Sequence, residues 1–459
     1  MTVRVAVVGG GVTGLTAAYT LRRELGADAV IDVFEADHRP GGLLCTREVG
    51  AARLDVGAEA FIVRRPEALA LVRELGLGDL VVSPGPLRPA LWSGGRLHPL
   101  PVPAVMGIPG SAAVLGDLVD DADRTLIDDE PTRSLDWTPG APVSVGALVR
   151  DRFGDAAVAR SVDPMLGGVY SALADDLGVA ETMPALAKAL DAGAPSLTAA
   201  VGSLTAASAA VSGPVFGTLR GGYRTLTNAL VRASDARMLA DSPVTGVRTV
   251  PGGYAVESPT GSGEGEYGAV VVAVPPWHAA DVLDTAALET AAILGRVRPA
   301  GSAVVGCVLA PGAAMPEQSG ILVATDAGMR SKAVTLSTRK WPHLAESGPP
   351  TLRVSFGRLG EPVTVDDQTL VSWAVDDLAE YFGAAGLPAP TIDDVVVQRW
   401  PEGLPHYAPG HLAAMTDAQR ALPEGVALAG AAFDGVGVPA CIGSARRAAA
   451  RVVAYLTAE

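Results

Sequence analysis

The stretch Gly9-Gly10-Gly11-Val12-Thr13-Gly14 constrains this chain more than any other feature, because of what flanks it. An apolar run, Val3 to Val8, precedes it, and a segment with helical character, Leu15 to Leu25, follows. Glycines at 9, 11 and 14 permit a tight turn, close approach of a pyrophosphate, and close packing of helix on strand. The helix N-terminus beyond them offers free N–H groups and a partial positive charge. A second apolar run, Val30 to Glu35, closes a βαβ unit and ends on an acid. A carboxylate there accepts hydrogen bonds from both ribose hydroxyls and repels a 2′-phosphate, so NADP is excluded at this site. The pattern predicts a doubly wound α/β domain that binds the ADP half of a dinucleotide.

The length of 459 residues is too great for one compact core and predicts two or three lobes. Hydrophobic residues make up 49% and charged residues 19%, which excludes a disordered chain. A net charge of −15 argues against a nucleic-acid partner, which calls for a basic face. Lysine occurs only at positions 188, 332 and 340; the other cations are arginines. Cys45, Cys307 and Cys441 are far apart, so neither a metal site nor a disulfide framework is expected, and a reducing compartment fits. Strand residues begin at Val3, leaving no room for a targeting segment, and no apolar run reaches the ~18–20 residues of a membrane span. A cytoplasmic protein is expected, with membrane contact weak, peripheral or absent.

Further along, proline recurs between Pro84 and Pro109, which predicts neither a regular helix nor a central strand there. Asp117–Pro142 reads as an acidic loop, and helical patterns follow at 145–153, 156–161 and 180–210. Gly221-Gly222-Tyr223 heads another helix, and 244–258 reads as a hairpin. Runs at 300–309, 321–324, 333–337 and 352–357 predict a sheet, followed by a helix over 368–382. Val426–Ala429 predicts a last strand, with a helix after Gly443. The dinucleotide domain is therefore expected from discontinuous segments, 1–84, 215–275 and 393–459. A mostly helical lobe is assigned to 85–214, and a sheet-based substrate domain to 276–392.

After Glu35 the chain reads Ala36-Asp37-His38-Arg39-Pro40-Gly41-Gly42, then Thr46. Here it resembles the flavin amine oxidase superfamily, whose second strand runs into Gly-Gly-Arg-x-x-Thr. Leu43 departs from that pattern, standing where the family has a cation. Four later stretches narrow the resemblance to the porphyrinogen oxidases of bacterial, actinobacterial type. These are Leu54–Phe61 with Arg64-Arg65-Pro66, Arg88-Pro89-Ala90-Leu91-Trp92, Asp163–Ser171, and Leu219–Leu226. Ala429–Ile442 is similar to their C-terminal flavin motif.

The resemblance implies FAD as cofactor. It places the dinucleotide against Gly9, Gly11, Val12, Thr13 and Gly14, with Glu35 and Ala36 at the ribose. Gly41, Gly42, Gly57, Ala58 and Glu59 are implied beside the pyrophosphate and flavin, and Val244 at the adenine. Gly430, Gly437 and Val438 are implied at the flavin ring. It further implies oxidation of coproporphyrinogen III to coproporphyrin III in haem synthesis, with six electrons leaving in three hydride steps, O2 as acceptor and H2O2 as product. Such chemistry belongs to the flavin and needs apolar walls and cations for propionates, with no catalytic side chain. Arg88 heads the candidate propionate contacts, followed by Arg65 and Arg64, and Gly168 is expected close to the macrocycle. Lys340 is read as structural or propionate-facing. A transient contact with the next haem-pathway enzyme is a further implied partnership. Protoporphyrinogen IX as substrate, an amine oxidase or desaturase relative, and a non-catalytic flavin or porphyrin carrier stay open beside this reading.

Overall fold

The apolar N-terminal run becomes β1 (Arg4–Val8), which lies at the centre of a parallel sheet. In the computed structural model, residues 2–209, 213–261, 263 and 265–458 are described. Beside β1 stand β2 (Val30–Phe34), β3 (Arg237–Leu239), β4 (Ala269–Val272) and β5 (Val426–Leu428), in the order β3-β2-β1-β4-β5. All four pairings are parallel. Parallel strands covered on both faces read as unbroken apolar runs, and here successive residues serve opposite sides. Val5 and Val7 pack with α1 (Val12–Leu25) and the C-terminal helix, whereas Ala6 and Val8 pack against the 246–257 hairpin and helices 276–283 and 288–294. The strand order reverses at β1, so a crevice opens at the carboxyl ends of β1 and β4.

The second sheet has seven strands, in the order 392–405, 299–309, 351–356, 333–335, 320–323, 90–93 and 96–99. The helix over 367–384 covers one face through Leu370, Ala374, Leu378 and Phe382. The other face meets a helical lobe that includes helices 145–157, 184–191 and 197–209 and α2 (Asp163–Tyr170). Buried Glu130 caps the 197–209 helix by accepting from Leu197 N at 2.8 Å and Thr198 N at 3.1 Å, and pairs with Arg152 at 3.0 Å. The chain ends in α3 (Val438–Thr457).

Four expectations need correction. Ala90–Ser93 is a buried interior strand, because Pro89 and Pro99 fall outside its four residues. Residues 392–405 form a long edge strand of the second sheet; Asp393, Asp394 and Pro401 broke its alternation in the sequence. Residues 276–297 back the dinucleotide sheet, residues 90–99 belong to the second sheet and not to the helical lobe, and the 392–405 strand runs across the expected boundary at 393. Within the acidic stretch, Asp121–Asp128 is a helix, capped by Asp120 accepting from Asp123 N at 2.9 Å. No helix among the described residues is long and apolar enough to cross a membrane.

Candidate functional site

The glycine loop is held by packing on two sides and open on the third. Gly9 has φ +104°, and a Cβ there would lie 2.8 Å from the Ala273 carbonyl oxygen. A Cβ on Gly14 would lie 1.8 Å from the Gly9 carbonyl oxygen, so only glycine lets α1 sit this close to β1. A Cβ on Gly11 would meet nothing within 4 Å, leaving room for a phosphate at the helix start. Val12 and Thr13 open α1 directly behind it. Glu35 lies just past β2, its Oε2 accepting from Gly10 N and its Oε1 from Asp37 N, each at 2.9 Å. Burial raises its pKa against those two amide bonds. Ala36 follows, exposed.

The glycine pair docks onto this loop. Gly41 N donates to Gly10 O at 2.8 Å, and a Cβ on Gly42 would come 3.3 Å from Gly11 Cα. A Cβ on Gly57 would fall 1.9 Å from the Leu43 carbonyl oxygen, which also accepts from Ala58 N at 3.1 Å. Leu43 thus contributes its backbone, while Arg39 donates to the Gly42 carbonyl at 2.9 Å. Thr46 donates to Asp55 at 2.5 Å and accepts from Arg224 N, so the second motif and the Gly221–Arg224 turn meet. Burial pushes Asp55 up to about 6.

The Glu59 side chain bonds groups beside the second sheet. Its carboxylate bonds Lys340 Nζ at 2.8 Å and Ser337 Oγ at 3.0 Å, with Arg353 Nε at 3.7 Å. Lys340, in turn, has a structural partner, in keeping with the first of its two expected roles.

Beyond β5, Gly430 has φ +144°, and a Cβ there would meet nothing. Helix α3 starts at Val438 with Gly437 as its N-cap, six residues before the expected start; Pro439 in its first turn suits helical φ. Helices α3 and α1 pack directly on each other. Two helix N-termini therefore converge at the carboxyl edge of the sheet, where negative charge is stabilised. Val244 lies in extended chain before the Gly246–Val250 strand, and nearby Ser242 N donates to Glu35 O at 2.8 Å.

On the opposite side, Gly168 lies within α2 and not in a turn; it and Val169 are exposed, near Leu322. Arg88 is exposed, and its side chain has no partner among the described residues. Arg65 pairs with Glu67 at 3.0 Å and lies beside Gly435, in the turn before α3. Arg64 reaches Ser208 Oγ at 3.3 Å and the Gly213 carbonyl at 3.4 Å, so it is tied to the helical lobe. Sequence reasoning passed over Tyr407 and His411, which both bond the 430–437 turn, and buried Lys332. The signal available was Tyr407-x-x-x-His411 inside a Pro- and Gly-bounded stretch, too short to stand out. No group of acids, histidines or cysteines among the described residues suits a metal.

The family model described as flavin containing amine oxidoreductase matches residues 12–453. The chain belongs to that family. Its cofactor is FAD, and the open glycines, the Glu35 carboxylate and the paired helix starts suit that dinucleotide. Within the flavin amine oxidoreductases, the chain is 45% identical over 455 residues to a coproporphyrinogen III oxidase of Mycobacterium tuberculosis, spanning 99% of this chain and 98% of the relative. The coproporphyrinogen III oxidase of Bacillus subtilis is 28% identical, with 98% of each covered. A crystal structure from Exiguobacterium sp. 255-15, assigned as a protoporphyrinogen oxidase, superposes with TM-score 0.86 and 26% identity over 99% of both chains. Cyclohexylamine oxidase from Brevibacterium oxydans, 17% identical with TM-score 0.72, shares the fold.

Proposed function

We propose that this flavoenzyme oxidises coproporphyrinogen III to coproporphyrin III, passing electrons to O2 in three turnovers that each yield one H2O2. The observation that carries the reading is the 45% identity, over nearly the whole chain, to mycobacterial proteins named for that reaction. Bound FAD supplies the hydride acceptor. The chain's own residues bind and orient. Val169, Leu322 and Val436 offer apolar surface beside the flavin-facing turn, and Arg88 supplies a cation for a propionate. Glu35 holds the ribose, and the α1 and α3 N-termini stabilise negative charge on the phosphates and the reduced ring.

The test is anaerobic bleaching of the flavin band near roughly 450 nm by coproporphyrinogen III and by protoporphyrinogen IX, side by side. Faster bleaching by coproporphyrinogen supports the reading. Faster bleaching by protoporphyrinogen favours the activity for which the Exiguobacterium structure is named. A colourless protein whose melting temperature FAD does not raise would sink both.

A further inference from the structure

Tyr407 is a single buried side chain that touches both the flavin-facing turn and the substrate-side helix. It is 1% exposed. Its hydroxyl donates to Ala431 O at 2.6 Å and accepts from Gly435 N at 2.8 Å. One phenol thereby closes the Gly430–Gly437 turn from both ends, using its proton and a lone pair at once. His411 supports the same turn: its Nε2 lies 2.7 Å from Ala432 O, and its ring centroid is 4.5 Å from that of Tyr407. A carbonyl acceptor requires a hydrogen on Nε2, and burial lowers the pKa of the ring.

The same ring reaches toward the substrate side. Tyr170, the last residue of α2, has its ring centroid 5.7 Å from that of Tyr407. Gly168 and Val169 precede it on the exposed part of α2. The Tyr407 carbonyl also accepts from Gly178 N at 2.9 Å, which binds its backbone to the helical lobe. Helix α2, the lobe and the turn before α3 therefore share one crosspiece.

We propose that Tyr407 is the positioning residue that sets the flavin-facing turn in register with the substrate-side helix, so that hydride transfer depends on its hydroxyl. This rests on the FAD and porphyrinogen reading above. Removing the hydroxyl leaves Gly435 N–H and Ala431 C=O without their buried partner and frees the turn that leads into α3. Hydride transfer is sensitive to such displacement, since a misplacement of about 1 Å costs on the order of a hundredfold in rate.

The experiment compares FAD-loaded wild type, Tyr407→Phe and Tyr254→Phe. Y407F keeps the ring volume. It should bind FAD about tenfold more weakly, shift the flavin absorption band, and slow anaerobic flavin reduction by roughly ten- to a hundredfold at saturating porphyrinogen. Its KM should stay within about threefold. Y254F should match wild type in spectrum and reduction rate, because the buried Tyr254 hydroxyl it removes bonds the Glu424 carbonyl, ahead of the Val426–Leu428 strand and away from the 430–437 turn. A Y407F enzyme with wild-type spectrum and reduction rate overturns the proposal, even if its Tm falls. Should Y407F not accumulate, His411→Phe loosens the same turn through Ala432 alone and must also shift the band; an unchanged band there overturns the proposal. Wild type that takes up no FAD overturns the functional reading as well, whereas wild-type bleaching beside an indifferent Y407F overturns this proposal only.

Discussion

Lys340 Nζ lies 2.8 Å from Glu59 Oε2, joining the loop after the glycine pair to the second sheet. The Glu59 carboxylate is only 9% exposed. Burial would raise its pKa, but the charges of Arg353 and Lys340 outweigh this and hold it at about 2. Arg353 adds a bond to the Gly57 carbonyl at 2.9 Å, so the acid also organises the Gly57–Glu59 loop.

Glu59→Gln removes a buried charge and strands two cations. Breaking such a pair costs about 3 kcal/mol, read by urea unfolding at pH 7. The native pKa lies below the unfolded value of roughly 4.3, so the stabilisation is present above that value. It is lost as pH falls toward about 2. The gap between wild type and E59Q should therefore close across that window. A gap that stays constant down to pH of about 3 would mean that its source is not the ionised Glu59 carboxylate.

Lys332 makes the opposite case. Its Nζ donates to Ser171 Oγ at 2.6 Å and to the Gly357 carbonyl at 2.8 Å, with no carboxylate in bonding range among the described residues. Burial, helped by the nearby Arg358 charge, lowers its pKa to about 7. Between there and the unfolded value of roughly 10.4, the unfolded chain binds more protons than the native one. Stability from this site therefore rises with pH over that window. Lys332→Met should lack the rise, so wild type gains on it from about pH 7 to pH 10. Parallel stability–pH curves would refute the assignment.

Glu35 already holds two amide hydrogen bonds, yet a carboxylate has about four acceptor sites, and two remain for ribose hydroxyls. Glu35→Ala should weaken FAD binding by about ten- to a hundredfold, measured by calorimetric titration of the apoprotein. It should also reduce the rise in Tm that FAD produces. Equal affinity in the variant would place the ribose elsewhere.

What the chain made legible was local. The β1 turn, Glu35 and the α3 loop could be read because a strand, a glycine spacing and a helix start sit within a few residues of one another. The strand over 392–405 was missed because acids and a proline interrupt an edge strand without breaking its pairing. The Glu59–Lys340 and Tyr407–Ala431 bonds were missed for a different reason. Each depends on which loops the two sheets bring together, and nothing in the residues beside Glu59 distinguishes an ion-pair acid from a flavin contact. The α3 start was read six residues late because Gly437, Pro439 and Gly443 look like loop. Proline in a first helical turn and a glycine N-cap are, however, normal at that end.

Arg88 offers the sharpest separation of binding from folding. Its backbone carbonyl accepts from Ser319 N at 3.1 Å, which fixes the entry to the Ala90–Ser93 strand. Its guanidinium has no partner among the described residues, whereas Arg64 and Arg65 are held by Ser208 and Glu67. Truncating it to alanine removes no ion pair, so stability should change by less than about 0.5 kcal/mol. If the guanidinium meets a substrate propionate, the lost charge-assisted bond, worth about 1.5–3 kcal/mol, should raise KM on the order of ten- to a hundredfold with flavin content unchanged. Arg88→Lys should recover part of that loss, since lysine keeps the charge without the planar fork. A variant that loses flavin and substrate binding together would instead make Arg88 a structural residue of the second sheet.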